Sequence, residues 1–530
     1  MPQPTEAPRR ATEVRSAWAW LAAALALLAI ASAVWQLEAA RRGVLISSLS
    51  VGTTPVTVFR PPAASAPAPV VLIAHGFAGS QQLMQPFALT LARNGYIAVT
   101  FDYPGHGRNT APLRGGLAEP LASQRTLLAS MDQMAAFVRG LPGSDGRSAV
   151  LGHSMASDIV VRHAQAHPEM QATVGVSLFA PSISADTPAD SPRNLLVIVG
   201  ALEPALLARE ALRVVGRVAG ADVQLDTLYG RFEDGTARRA TLSPGVEHIG
   251  VLYSAHTQAQ TLAWLNTAFG RPQAAQPFID SRGPALALLL GGVVLLAWPL
   301  SRLLPRIAAS AAAPAKRMRW WQVRGYAPRL LLPALLTPLL LWKVPTDFLP
   351  ILLGDYLVLH FALYGLLTMA ALRLAGGGPP LVGPGHRAAL AVAMLLATAY
   401  ALFAVGVPID RYVFNVWPQA QRLPLILAMA AGTLPYFLAD EWLTRDTAAP
   451  RAAYFLSKLA FLLSLVLAIA LNPYKLFFLA IIVPAVLLLF VVYGLFSRWT
   501  FRRTGHPAVA AVANALAFAC FIAVSFPRVG

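Results

Sequence analysis

Nine runs of apolar residues are the feature that most constrains what this chain can fold into. Each run is about twenty residues long, and a helix of that length, rising about 1.5 Å per residue, crosses a bilayer core of roughly 30 Å. The composition agrees, since 56% of the residues are hydrophobic and only 13% are charged, unlike a soluble globular protein. The sequence therefore predicts membrane spans at 17–36, 284–305, 327–344, 347–374, 387–408, 423–441, 452–471, 475–497 and 506–526.

The first apolar run has two interpretations. The stretch Ala31–Ala33 has the small-x-small pattern of a signal-peptide cleavage site, and cleavage there would remove the run from the mature protein. The run continues to Leu37, however, and carries Trp18, Trp20 and Trp35 near its two ends, where the interfacial anchors of a membrane span lie. We favour an uncleaved anchor and keep cleavage as the alternative.

Basic residues in the loops indicate the orientation, because Lys and Arg are enriched on the cytoplasmic side of membrane proteins. With a cytoplasmic N-terminus, the cytoplasmic segments hold 17 Lys and Arg residues, whereas the short outer loops and the C-terminal tail hold five. We therefore expect a cytoplasmic N-terminus with an anchor at 1–37, an extracytoplasmic domain at 38–283, and a polytopic domain of about eight helices at 284–530. The expected location is a bacterial cytoplasmic membrane, with the 38–283 domain outside the cytoplasm.

The charge and cysteine content exclude several classes of protein. The formal charge of +17 would suit nucleic acid, but the basic residues bracket apolar runs and form no stripe interleaved with aromatic residues. The partner that this distribution predicts is the lipid bilayer, not nucleic acid. Cys520 is the single cysteine and lies in an apolar run, so the chain has neither a disulfide framework nor a cysteine zinc cluster.

The segment 38–283 has a different pattern, in which short apolar runs alternate with longer amphipathic stretches. Continuous apolar strands separated by helices are typical of a mostly parallel sheet covered on both faces. No helix separates the first two strand-like stretches, so the sheet is expected to open with an antiparallel hairpin. The strands are predicted at 44–51, 54–60, 70–74, 97–101, 148–151, 173–179, 195–199 and 223–228, and the helices at 83–94, 117–140, 155–167, 205–219 and 255–269.

Ser154 lies in the stretch VLGHSMAS, between the strand predicted at 148–151 and the helix predicted at 155–167. A sharp strand-to-helix turn needs small neighbours, and Gly152 and Ala156 supply them two positions before and after the serine. The first helical amides then point toward the space above the hydroxyl, where an oxyanion would form. Taken alone, the pattern G-x-S-x-A could also arise by chance, with Ser154 as one more small residue in an alanine-rich chain.

Two further motifs follow predicted strands at the same sheet edge: HGFAGS after 70–74 and FDYPGHG after 97–101. With G-H-S-M-A at 152–156, they make the segment 45–270 resemble an α/β-hydrolase of the esterase, dienelactone-hydrolase and serine-peptidase group. The resemblance implies an α/β, doubly wound, mostly parallel sheet, joined in this chain to an all-α transmembrane domain.

The resemblance also implies a role for individual residues. Ser154 would be the nucleophile, His248 the base and Glu203 the acid that orients the base, with the backbone amides of Phe77 and Met155 forming the oxyanion hole. Aspartate is commoner than glutamate at the acid position, so Asp186 and then Asp226 are the alternatives, and His256 is the alternative base. Asp102 is expected to form a turn. His163 and His167 lie on the helix after Ser154 and are expected to point away from it.

These features predict a membrane-embedded serine hydrolase that acts on a small-molecule or lipid substrate. The bond cleaved is expected to be an ester, with an amide as the less favoured alternative. No cofactor is expected, and no metal, because the chain has neither a P-loop nor an H-E-x-x-H pair. Only 182–194 separates two strands where many relatives insert a lid, so we expect an open site. The alternatives are acyl transfer by the same residues, or a transporter or sensor whose hydrolase-like domain only binds. In the membrane half, Lys458 is expected to pair with Asp440 or Glu441.

Overall fold

The computed structural model describes residues 6–61, 67–116, 119–220, 222–307, 320–378, 382–446 and 449–530. It divides the chain into two compact units. The first, which we call the helical unit, comprises residues 1–33, 288–408 and 416–524, and the second, the sheet unit, comprises residues 34–287, 409–415 and 525–530.

The sheet unit is built on one eight-stranded sheet in the order β1-β2-β4-β3-β5-β6-β7-β8. β1 and β2 form an antiparallel hairpin, β2 pairs antiparallel with β4, and all the other pairs are parallel. The predicted α/β class, the mostly parallel sheet and the opening hairpin are thus confirmed. The strands are β1 Leu45–Val51, β2 Thr54–Arg60, β3 Ala68–Ala74, β4 Ile97–Phe101, β5 Ser144–His153, β6 Met170–Val176, β7 Leu195–Gly200 and β8 Arg238–Ser243.

Helices cover both faces of this sheet because its central strands are apolar on both sides. In β3, Val71 and Ile73 pack in the core that includes Trp264, whereas Val70 and Leu72 pack in the opposite core, which includes Met131. Strands buried on both faces lose their alternation of polar and apolar residues, which is why β3 and β4 are continuous apolar runs. The helices are α2 Gln85–Arg93, α3 Pro120–Arg139, α4 Met155–Ala166, α5 Ala205–Ala219 and α6 Ala255–Ala268.

The prediction of the last strand at 223–228 was wrong. In that stretch Asp226 adopts a left-handed backbone conformation with φ of 60°, which an extended strand does not allow. The eighth strand is Arg238–Ser243, fifteen residues later, in register with β7. The polar sequence RRATLS gave no strand signal, so this strand was missed. In the structure Arg238 is buried, and its guanidinium donates hydrogen bonds to the carbonyls of Ala237 (3.0 Å) and Ala189 (2.8 Å).

The helical unit contains most of the apolar helices. Eight helices in the described part of the chain are long and apolar enough to cross a membrane. The predicted span at 327–344 corresponds to a shorter apolar stretch, Tyr326–Leu341, within α8. The remaining α-helices are α1 Glu6–Arg41, α7 Gly283–Ser301, α8 Trp320–Leu341, α9 Gly354–Leu374, α10 Arg387–Ala399, α11 Val405–Tyr412, α12 Leu423–Arg445, α13 Ala453–Leu471, α14 Pro473–Thr504 and α15 Ala508–Ser525, and a π-helical turn Tyr400–Ala404 joins α10 to α11 in one apolar span.

Two buried carboxylates on α12 have cationic partners, as an apolar surrounding favours. The Lys458 ammonium contacts the Asp440 carboxylate, which confirms the predicted pairing. Glu441 lies one position further along the same helix and accepts from the guanidinium of Arg445 at 3.1 Å. These contacts connect α12 to α13 and give the charged residues a structural role.

Candidate active site

Ser154 is the only residue between β5 and α4, and its backbone makes a sharp turn with φ of 54° and ψ of −116°. A side-chain-bearing residue in such a conformation costs about 1–3 kcal/mol, so the surrounding structure must hold it there. The Ser154 amide donates to the carbonyl of Val176 at 2.9 Å, and the Ser154 carbonyl accepts from the amide of Ser157 at 2.8 Å. The turn thereby presents the hydroxyl at the carboxyl edge of the sheet.

Two glycines make this turn possible because other backbone passes close to them. A Cβ on Gly152 would lie 2.5 Å from the carbonyl oxygen of Ala156, in the first turn of α4. A Cβ on Gly76 would lie 3.1 Å from the Cβ of Ser154 itself. The small residues that the sequence places around Ser154 are therefore required by packing, as the turn predicts.

The structure brings Ser154, His248 and Glu203 together in one hydrogen-bonded chain. Nε2 of His248 lies 2.9 Å from the Ser154 hydroxyl oxygen, and Nδ1 lies 2.5 Å from Oε1 of Glu203. With Nδ1–H donating to the carboxylate, Nε2 is left as an acceptor for the serine proton. Glu203 is completely buried, and 23% of the His248 side chain is exposed, so the imidazole is accessible from outside while its partner is not.

The second oxygen of the Glu203 carboxylate is also held in place. Oε2 accepts from the hydroxyl of Ser177 at 2.9 Å and from the amide of Gly200 at 2.6 Å. The sequence analysis missed Ser177, which directly follows β6 and has a positive φ of 53°. Nothing local in the sequence distinguishes it from the other serines. These two donors fix the orientation of the carboxylate, and the carboxylate in turn fixes the tautomer of His248.

His153 positions the backbone of the base. Its Nε2–H donates to the carbonyl oxygen of His248 at 3.0 Å, and the two imidazole rings lie 4.9 Å apart. Burial lowers the pKa of His153 well below the usual histidine value, and the nearby His248 lowers it further. The ring is therefore neutral and serves as a hydrogen-bond donor rather than as a charge.

Phe77 and Met155 occupy the positions expected of oxyanion-hole residues. Met155 is the first residue of α4, and amides in the first turn of a helix have no intrahelical acceptor. Phe77 follows β3 in a tight turn closed by the bond from the Gly79 amide to the Gly76 carbonyl at 3.2 Å. Donors at a helix N-terminus favour developing negative charge, so the arrangement can stabilise a tetrahedral oxyanion.

Asp102 and His75 stabilise the loops around the site. Asp102 accepts from the amides of Gln81 (2.8 Å) and Arg108 (2.9 Å), which connects the loop after β3 to the loop after β4. Nδ1 of His75 donates to the Gly76 carbonyl at 2.8 Å, and Nε2 accepts from the amide of Tyr103 at 3.1 Å. Complete burial lowers the pKa of His75, in keeping with a neutral structural histidine. The predicted turn-forming role of Asp102 agrees with these bonds.

The alternative acid and base residues lie in other contacts. Asp186 is exposed in the loop between β6 and β7, and its amide donates to the hydroxyl of Ser184. The Asp226 amide donates to the Ala240 carbonyl of β8. His256, on α6, has its Nε2 3.4 Å from the hydroxyl of Thr241.

The edge of the sheet that carries Ser154 has exposed apolar side chains around it. The connection between β6 and β7, residues 177–194, is fully described and contains no helix, in keeping with the short connection seen in the sequence. Four large apolar side chains are exposed on the loops and helix start that follow β6, β7 and β8, at the sheet edge where Ser154 lies: Phe179, Leu202, Leu206 and Ile249.

Two segments from distant parts of the chain belong to the sheet unit and contact the loops near the site. In 409–415, the Asn415 amide donates to the Ser80 hydroxyl at 2.9 Å, and the Asp410 carboxylate accepts from Arg108 at 2.5 Å. In 525–530, the Arg528 amide donates to the Gly105 carbonyl at 2.8 Å. These bonds support the loops after β3 and β4 from outside the hydrolase-like segment.

Comparison with known proteins agrees with this fold. Residues 65–219 match the family model described as "Serine aminopeptidase, S33". No curated protein matches the chain. A solved structure from Thermus thermophilus is 17% identical and covers 43% of this chain and 99% of its own, with a TM-score of 0.33. An epoxide hydrolase from Vigna radiata is 13% identical and covers 42% of this chain and 98% of its own, with a TM-score of 0.30. The chain therefore carries an α/β-hydrolase domain, matched over residues 65–219, joined to a region of apolar helices.

Proposed function

We propose that this protein is a membrane-embedded serine hydrolase that cleaves an ester bond through Ser154, His248 and Glu203. The observation that carries the proposal is the continuous chain of hydrogen bonds from the Ser154 hydroxyl through both ring nitrogens of His248 to a buried carboxylate. Serine is a weak nucleophile without a base to accept its proton, and this arrangement supplies the base.

In the proposed reaction, the Ser154 oxygen attacks the ester carbonyl while its proton passes to Nε2 of His248. The negative charge of Glu203 stabilises the imidazolium that forms, and the amides of Phe77 and Met155 stabilise the oxyanion. The imidazolium then gives its proton to the departing alkoxide, which leaves an acyl group on Ser154. Water, activated by the same imidazole, attacks the acyl-enzyme and releases the acid. An acyl acceptor other than water would make the protein a transferase.

The surroundings of the triad favour an ester with an apolar part over a peptide with a free amino group. The two glutamates on the loops after β7 and β8 already have partners: Glu203 bonds to His248, and Glu247 accepts from the amides of Ile249 and Gly250, both at 2.7 Å. The exposed apolar side chains on the loops that follow β6, β7 and β8 suit an acyl chain instead. A lipid or an acylated component of the cell envelope has this chemistry and is found beside a bilayer.

We place the hydrolase domain outside the cytoplasm of a bacterium. The distribution of Lys and Arg supports this orientation. A second support is that 409–415 and 525–530, which the same count puts outside, belong to one compact unit with the hydrolase domain. A cysteine introduced at an exposed position of that domain, such as Ser184, should react with a membrane-impermeant maleimide in intact cells, whereas labelling only after lysis would reverse the orientation.

The test of activity is hydrolysis of p-nitrophenyl esters, from acetate to long-chain esters, by the purified full-length protein. We expect hydrolysis by the wild type, none above background by Ser154→Ala, and wild-type rates for Ser184→Ala, a matched change at an exposed serine. Ester hydrolysis that persists in Ser154→Ala would overturn the proposal. A folded wild type without activity would favour the alternative, in which the domain only binds.

A further inference from the structure

A cluster of metal-ligating side chains lies away from the active site, on the helices α3 and α4. His163 lies in the last turn of α4, His167 directly follows that helix, and Asp132 faces both from α3. Nδ1 of His163 lies 2.7 Å from Oδ1 of Asp132, and Nε2 of His167 lies 3.5 Å from the same oxygen. The three ligand atoms all lie within 4.8 Å of one another.

A fourth residue orients one of these imidazoles. Nδ1 of His167 lies 3.2 Å from Oε1 of Glu169, which in turn lies 3.7 Å from the guanidinium of Arg139. A ligand histidine in a metal site commonly donates its second ring N–H to a carboxylate, and Glu169 stands in that position. When Nδ1–H donates to Glu169, the lone pair of Nε2 faces the negative oxygen of Asp132. Two acceptors in that arrangement need a positive charge between them.

The position of the cluster suits an ion that exchanges with solvent. His163 is fully buried, while Asp132 and His167 are 56% and 28% exposed, so the ligand atoms lie at the surface with one side of the site open. With a metal on Nδ1, the His163 ring carries its proton on Nε2, which has no hydrogen-bond partner among the described residues. That buried donor lowers the affinity, so we expect binding weaker than at a closed structural site.

We propose that Asp132, His163 and His167 bind a divalent transition-metal ion, zinc first, with water completing the coordination. Two imidazoles and one carboxylate are a ligand set that zinc uses in proteins. Bonds of about 2.0–2.2 Å in a tetrahedron separate ligand atoms by roughly 3.3–3.5 Å, so only small side-chain rotations are needed. Ser154 precedes His163 by nine residues, about 13 Å along a helix, so the ion is too distant to touch the reacting groups.

The ion would therefore stabilise the packing of α3 against α4, the helix that begins at the proposed oxyanion hole. Binding to the folded state alone raises stability in proportion to the logarithm of the ratio of zinc concentration to Kd. The proposal does not depend on the proposed esterase activity, since its readouts are binding and thermal stability.

The experiment is titration calorimetry of zinc chloride into the full-length protein, purified without a histidine tag and stripped with EDTA. We expect one zinc ion per chain. His167→Ala and Asp132→Asn should weaken binding by at least tenfold, and Glu169→Gln, which alters only the orienting partner, by about tenfold. His256→Ala, which removes an imidazole from another helix, should leave the isotherm unchanged.

Thermal unfolding separates loss of the site from loss of the fold. His167 and Asp132 are partly exposed, so their variants should melt at the wild-type temperature in EDTA and fail to gain stability when zinc is added. An unchanged isotherm in His167→Ala would overturn the proposal, as would equal losses in His167→Ala and His256→Ala. The absence of saturable zinc binding to the folded wild type would overturn the proposal as well.

Discussion

Replacement of Glu203 by glutamine tests how the proposed triad of Ser154, His248 and Glu203 is held together. The carboxylate has three partners: the His248 ring at Oε1, and the Ser177 hydroxyl and Gly200 amide at Oε2. An amide has one acceptor oxygen, so Glu203→Gln cannot satisfy all three. If the oxygen faces Ser177 and Gly200, the NH2 group faces Nδ1 of His248 and forces the ring proton onto Nε2, from which the serine proton cannot be accepted.

The opposite orientation of the amide leaves His248 in the active tautomer but turns NH2 toward the Gly200 N–H. An unsatisfied buried donor costs roughly 1–3 kcal/mol, so the active orientation would make up about 0.6–16% of molecules. A substitution that enforces the wrong tautomer in a Ser-His-Asp enzyme lowers kcat about 10⁴-fold, equivalent to about 5.4 kcal/mol. The imidazolium also loses its counter-charge in both orientations. We therefore expect kcat for Glu203→Gln to fall by about 10²- to 10⁴-fold.

The assay is steady-state hydrolysis of a p-nitrophenyl ester by full-length wild type and variant, with thermal unfolding to confirm that both are folded. The matched control is Asp186→Asn, the same chemical change at an exposed carboxylate. A loss below about tenfold in Glu203→Gln, or an equal loss in Asp186→Asn, would refute the reasoning.

Three further predictions follow from other contacts. Gly152→Val should destabilise the fold by about 1–3 kcal/mol or more and abolish ester hydrolysis, because a Cβ at this position would lie 2.5 Å from the Ala156 carbonyl oxygen. A variant as stable as the wild type in a urea titration would contradict this prediction. Burial lowers the pKa of His75 and His153, so below about pH 6.5 the unfolded chain binds more protons than the folded chain. The Tm of the wild type should therefore fall as the pH is lowered from 7.5 to 5, and it should fall less in His153→Gln. An equal dependence of Tm on pH in the two proteins would count against this prediction. Ser80→Ala removes the hydroxyl that accepts from the buried Asn415 amide, so it should lower the free energy of unfolding by about 1–3 kcal/mol and lower kcat. An unchanged Tm would argue that the segment 409–415 does not support the loop after β3.

The sequence predicted those parts of the fold that depend on local patterns. The apolar strands, the helices between them and the strained turn at Ser154 each have a short-range signature, and the structure contains all of them except the strand predicted at 223–228. His248 and Glu203 were located through the resemblance to α/β-hydrolases, which implies a base and an acid at these places in the chain. Their catalytic roles stay predictions, although the structure places their side chains within hydrogen-bonding distance.

Contacts between distant residues were not accessible in this way. β8 was misplaced because Arg238 and Arg239 look exposed in the sequence, whereas Arg238 is buried against backbone carbonyls that only the folded chain supplies. Ser177 supports the triad through a conformation that its neighbours in sequence do not specify. The cluster with Asp132 joins two helices separated by β5, so its ligands form no compact motif.

The central claim is that one hydroxyl is activated, and covalent labelling tests it most directly. Folded full-length protein treated with a fluorophosphonate should carry a single adduct, located by peptide mass spectrometry on Ser154. Ser154→Ala should show no adduct, and His248→Ala should react far more slowly. A folded protein that remains unlabelled, or an adduct on another serine that persists in Ser154→Ala, would contradict the account.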